Sequence, residues 1–206
     1  HELTFLPESL LHAIRVFCVT LGQRSHRGQG KDHCSMMINV SRFNDVQDKV
    51  LGLVYEYIQV IRNALEVHGN LPLSSSSDMN IQGLKKSLTE EFPGREYKFS
   101  ELLPVLGESV SSVQIKTVNM RGGTLDYGGS GTDGLHVIAI GGLALSRGLT
   151  LEGLTTSYIL RNTAASDTLM QMARWFGYRG QNEDLVRVYV TSRLNTLFSS
   201  MIQVED

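Results

Sequence analysis

The residues best suited to chemistry lie between positions 136 and 180. An apolar, strand-like run from His136 to Ile140 leads into GGLALSRGLTLEGL (Gly141 to Leu154); a second, Thr156 to Leu160, is followed by MQMARWFGYRG (Met170 to Gly180). Gly148 after Arg147 lets the backbone turn tightly and approach a ligand, while the guanidinium can grip a phosphate in a forked geometry. Thr150 can cap the next turn or touch a ribose. Arg174 and Arg179 add two cations near strand ends and helix starts, where an open α/β sheet places its ligand crevice. Such a set suits the phosphates of a nucleoside triphosphate. On this run alone, Arg147 pairing with a surface carboxylate across a tight connection is an equal account.

The elements that must position these residues read as alternating helices and strands. Leu6 to Leu21 carries Pro7 at a first turn and Leu10, Leu11, Ile14, Phe17, Cys18 and Leu21 at helical spacing, so an amphipathic helix is expected there. A polar loop, Gly22 to His33, then leads to a buried strand at Met36 to Val40. Asn44 and Gln47 resemble a capping box opening a long helix with Val46, Val50, Leu53, Val54, Tyr57, Ile58 and Ile61 on one stripe. Leu71 to Ser112 changes character. It holds three of the four prolines and two short helical patterns opened by Asp78 and Ser100, which reads as a helical insertion or lid. Strands are expected again at Val113 to Val118, at His136, at Thr156 and at Leu185 to Thr191, with helices at Asp167 to Phe176 and from Ser192 to Val204. The order predicts an α/β fold: a mostly parallel sheet with helices on both faces.

Composition bounds the function. The chain is 41% hydrophobic and 19% charged with a formal charge of -2, so any nucleic-acid contact must come from a local patch. No membrane span is expected. Cys18 and Cys34, without metal-ligand spacing, read as reduced and buried, which fits a cytoplasmic setting. The chain opens abruptly at His1 and reads as a piece of a longer polypeptide. SHRGQGKD (Ser25 to Asp32) fails as a phosphate-cradling loop: Ser25 stands where glycine belongs, Asp32 where the metal-holding hydroxyl belongs, and the string precedes a strand. It reads as a solvated turn. No Asp-Glu pair ends a strand either, so the chain alone is not expected to hydrolyse ATP. Glu96-Tyr97-Lys98, with Asp78 or Glu91, mimics part of a restriction-type nuclease site, but such triplets arise easily by chance and surface charge is the better account. His33 and His136, each before an apolar run, suit capping or partly buried roles. Ser41 and Arg42 follow the first strand, where they could hold a DNA backbone or form a simple turn.

GGLALSRGLTLEGL, SYILRNTAASDTLMQMARWFGYRG and the earlier SMMINVSRFNDVQ (Ser35 to Gln47) together resemble the "Z-one" endonuclease domain family over nearly the whole chain. That family accompanies helicase-like ATPase modules in large bacterial proteins and is similar to the C-terminal RecA-like lobe of superfamily-two helicases. The resemblance implies that SRGLTL acts as helicase motif five, with Arg147, Gly148 and Thr150 at the nucleotide cleft. It implies that Gln171, Arg174 and Arg179 act as motif six, whose arginines reach ATP and Mg bound mainly by an N-terminal ATPase lobe of the same polypeptide. Helicases place the glutamine four residues before the first arginine and the second arginine three after it; here the intervals are three and five. Arg179 is therefore the better finger and Arg174 its companion or anchor. Thr150 stands where the family has an acidic or amide residue, so it can hydrogen-bond but carries no charge.

The expected function is thus the C-terminal lobe of a DNA-directed, helicase-like ATPase linked to endonuclease or restriction activity. A metal-dependent DNA endonuclease and a non-catalytic scaffold are the alternatives.

Overall fold

The computed structural model describes residues 4–72, 77–95, 97–118, 125–129, 131, 133–142, 145, 150–160 and 180–191. Its elements in order are α1 (Glu8–His26), β1 (Cys34–Asn39), α2 (Asn44–His68), α3 (Met79–Glu91), α4 (Phe99–Ser111), β2 (Gln114–Val118), β3 (His136–Gly141), β4 (Leu154–Ile159), a 3-10 helix (Gly180–Leu185) and β5 (Arg187–Val190). Five strands form one all-parallel sheet in the order β2-β3-β1-β4-β5. The α/β class expected from the sequence is therefore observed, in an architecture consistent with RecA-like domains.

Apolar side chains on alternating positions build the two sides of the sheet. Met36, Ile38, Ile138, Ile140 and Tyr158 join a cluster with all four helices, whereas Met37, Ala139 and Ile159 join Leu145, Leu151 and Leu154 in a second cluster. The central strand β1 is buried along its whole length, which fits its apolar centre Met36, Met37 and Ile38, with Ser35 and Asn39 as buried polar members. Parallel connections are right-handed, so those running in opposite directions along the sheet cross opposite faces. The β1 to β2 connection carries α2, α3 and α4 over one face; the β3 to β4 connection places Leu145 and Leu151 on the other. The further helices expected at 167–176 and from 192 fall outside the described residues.

On the helical face, α1 contacts β4 and α2 contacts β2 and β3, while α3 and α4 pack on α1 and α2. The segment read as an insertion or lid thus supplies an outer pair of helices with Ile81, Leu84, Leu88, Leu102 and Leu106 in the main core. Each such side chain contributes about 1.5–3 kcal/mol on burial. Asp78 caps α3 as expected, accepting from the amides of Asn80 (2.8 Å) and Ile81 (3.1 Å). α4 begins at Phe99, and the Glu101 carboxylate accepts the Lys98 amide one turn back.

Two local expectations are corrected. Gly22 does not end α1, which runs to His26; a Cβ at Gly22 would lie 2.7 Å from Leu106 Cδ2, so the glycine serves close packing of α1 on α4. Nor do Asn44 and Gln47 form a capping box. Phe43 precedes the first turn of α2, and Gln47 Nε2 donates to the Ser41 carbonyl at 2.8 Å.

Candidate functional site

The candidate residues divide between the two ends of the strands. β1 and β4 are neighbours whose outgoing connections run in opposite directions, the arrangement that opens a crevice at the carboxyl ends. Ser41 and Arg42 stand there. The Leu160 amide donates to the Asn39 carbonyl across the two strands at 3.0 Å. Gly142 lies so close that a Cβ on it would meet the Ser41 carbonyl oxygen at 2.5 Å. Ser41 Oγ accepts the Phe43 amide at 3.1 Å, and Arg42 is exposed with its guanidinium 5.0 Å from the Phe43 ring centre. Beneath them the Asn39 side chain is buried, and its Oδ1 has no hydrogen-bond partner among the described residues.

Thr150 belongs to the opposite end. It is exposed and lies two residues before Glu152, whose carbonyl accepts from Ser35 Oγ at 2.7 Å at the amino end of β1. Next to it Gly153, at φ +62°, packs directly on the His33 backbone and accepts from the Ser35 amide at 2.9 Å. His33 Nδ1 accepts the Leu135 amide at 2.9 Å, so its Nε2 carries the proton and faces the Glu152 carboxylate at 3.5 Å. The Gly180–Leu185 helix also sits at this amino end, tied to the chain between α1 and β1. Arg147, Gly148, Gln171, Arg174 and Arg179 lie outside the described residues, as does Glu96. Of the expected set, the structure therefore places Ser41 and Arg42 at the carboxyl edge and Thr150 at the amino edge, and does not bring them together.

The Ser25 to Asp32 turn is not merely solvated. Arg27 donates to both carboxylate oxygens of Asp184, one at 3.0 Å, and holds that carboxyl below its ordinary range, while Gln29 Nε2 donates to Gln181 Oε1 at 3.1 Å. Lys31 pairs with Asp133 at 3.2 Å. These partners, together with the turn's place ahead of a strand, leave no phosphate cradle there. Beside the turn opens a cavity of about 900 Å³ lined by Gln23, His26, Arg27, Arg95, Tyr97 and Arg187, with Glu91 and Asp184 among its acids. Its cations are largely neutralised: Arg187 lies 3.4 Å from Glu91 and 4.3 Å from the Phe92 ring centre.

A chain that composition and spacing did not disclose runs from Ser87 Oγ to His12 Nδ1 (3.3 Å) and from His12 Nε2 to Glu91 Oε1 (2.7 Å). It has the order of a nucleophile, base and acid. Its serine is 1% exposed and receives Arg15 Nε at 3.3 Å, so no substrate reaches it, and the chain serves to join α1 to α3. Burial would raise the Glu91 carboxyl, but His12, then Tyr189 and Arg187, outweigh it and hold the group below its usual range. Asp78 and Glu91 stand at opposite ends of α3, roughly 20 Å apart at 1.5 Å per residue, so they cannot share a metal. Among the described residues no three His, Cys, Asp or Glu groups converge as a metal-holding set. Cys18 and Cys34 are free and buried, and no described helix is long and apolar enough to cross a membrane.

His136 is buried, with Nδ1 2.7 Å from Ser112 Oγ, and desolvation pushes its imidazole below the ordinary value. The unfolded chain takes up a proton near pH 6.5 that the folded domain resists, so protons favour unfolding below that pH. The melting temperature is expected to fall as pH drops from 7 to 5. His136→Gln should flatten that limb of the profile; an unchanged slope would contradict it.

The described residues form a parallel α/β domain, with a switch-point crevice at one end and a clasped arginine-bearing turn at the other, in an architecture consistent with the RecA-like fold. More particularly, the chain belongs to the Z1 domain family, whose family model matches residues 9–206. No curated protein and no solved structure matches it.

Proposed function

We propose that this domain is the arginine-supplying C-terminal lobe of a helicase-like, DNA-directed ATPase linked to endonuclease or restriction activity. One observation carries the reading. The two stretches that bear its motif-like residues, SRGLT and QMARWFGYRG, rejoin the described fold at the same edge of the sheet, through Thr150 to Gly153 and through Gly180 to Leu185. ATP and Mg are held mainly by an N-terminal lobe of the same polypeptide, since the glycine-and-lysine turn from Ser25 to Asp32 meets internal partners. Arg174 and Arg179 then neutralise charge developing on the γ-phosphate, and Arg147, Gly148, Thr150 and Gln171 complete the cleft. Ser41 and Arg42, at the far edge, hold a DNA backbone phosphate.

Separating the two lobes tests this. An isolated N-terminal lobe is expected to turn over ATP poorly, and adding this domain in trans should restore DNA-stimulated hydrolysis. Full DNA-stimulated turnover by the N-terminal lobe alone would end the proposal.

A further inference from the structure

The chain emerging from the arginine-bearing stretch is caught at its first described residues in a chemically specific way. Arg27 presents both terminal nitrogens to Asp184 and lies 3.5 Å from Asn182 Oδ1, while Gln29 reaches Gln181. All three partners belong to the Gly180–Leu185 helix. Downstream, Arg187 donates to the Asp184 carbonyl at 2.9 Å and is itself held by Glu91, so the helix is fixed at both ends. Gln181 is two residues from Arg179, and two residues of chain span no more than about 7 Å. The position of Arg27 is set in turn. It follows α1 directly, its amide donates to the Gln23 carbonyl at 3.1 Å, and Gly28 at φ +78° turns the chain away so that the side chain faces the 3-10 helix.

Stability alone is a weak reason for this arrangement, because the Asp184 side chain is 58% exposed and an exposed ion pair contributes little. Geometry is a stronger one. A two-pronged guanidinium contact fixes direction as well as distance, which a lysine in the same place cannot do.

We infer that Arg27, assisted by Gln29, is a positioning residue that sets where the Gly180–Leu185 helix, next in sequence after Arg179, meets the sheet, an inference that rests on the arginine-donating role proposed above. Arg27 does not touch nucleotide in this scheme; it acts through Asp184 and Gln181.

Steady-state ATP hydrolysis by the full polypeptide, read with DNA present, tests it. Arg27→Ala is expected to lower kcat on the order of 10- to 100-fold, the cost of misplacing a catalytic group by about an ångström, with KM for ATP nearly unchanged. Arg27→Lys should fall between the two. The swapped pair Arg27→Asp with Asp184→Arg should recover much of the lost kcat. A merely structural role predicts instead that the loss follows melting temperature and that the swap restores stability without kcat; that result overturns the inference. Unchanged kcat in Arg27→Ala, in a protein that does require Arg179, also overturns it while leaving the ATPase reading intact. Turnover that survives the loss of Arg174 and Arg179 together removes the reading beneath it.

Discussion

Turnover of ATP by the full polypeptide is expected to fall by about three orders of magnitude when Arg174 and Arg179 are both replaced by alanine. No bound group need be lost for this to happen. The γ-phosphate is anionic in bound ATP, but its charge is redistributed as the transferring bond loosens, so a guanidinium placed to match that later distribution acts chiefly on the transition state and changes substrate affinity less. The loss should therefore fall on kcat. Arg179→Ala alone is expected to account for most of it and Arg174→Ala for less, given the altered spacing from Gln171. Lysine at 179 should rescue poorly, because a single ammonium cannot span two phosphate oxygens. A double variant that keeps its DNA-stimulated rate would refute the arginine-donating role and leave a scaffold.

The second large effect concerns folding. Gly153 adopts φ +62°, and a Cβ there would stand 1.8 Å from the His33 carbonyl oxygen and 2.5 Å from its carbon. Neither atom can retreat. His33 leads straight into β1, and the next strand residues are locked by Ser35 to Gly153 and by β1 pairing with β3. Gly153→Ala is expected to destabilise the domain by about 4 kcal/mol or more, combining left-handed strain with the overlap. That is a large share of a typical stability of 5–15 kcal/mol. Gly107→Ala makes the control: nothing lies within 4 Å of its Cβ position on α4, and alanine there should be neutral or slightly stabilising. Urea unfolding midpoints measure both, and a small shift at Gly153 would show that the β4 start can move.

Much of the fold could be read from the chain because its strongest signals are local. β1 and β3 are buried on both faces and show short apolar runs at 36–38 and 137–140, β4 is as buried although it carries Thr155, Thr156 and Ser157, and α2 shows its stripe because Val50, Val54, Ile58 and Ile61 all face the core. Expectations fail where spacing alone does not show a residue's partner. Gly22 looks like a helix end until Leu106 is seen against it, and Gln47 looks like a cap until Ser41 takes its amide. Arg27 meets Asp184 across 157 positions and His12 meets Glu91 across 79, separations at which a single sequence carries no pairing signal. The same holds for the candidate site. Residue types marked Thr150 and Arg42 as capable of contact, but only the strand polarity assigns them to different ends of the sheet.

The central place of β1 has a consequence for biosynthesis. Cys34 pairs with His136, and Ser35 with Leu154, so both flanks of the strand remain without partners until more than a hundred further residues have been made. At roughly 5–20 residues per second the ribosome leaves that bare apolar ribbon waiting on the order of 5 to 20 s. Nascent α1 and α2, amphipathic and already complete, are the natural shelter in that interval. Chains stalled before position 136 should accordingly be the ones that aggregate or recruit chaperones.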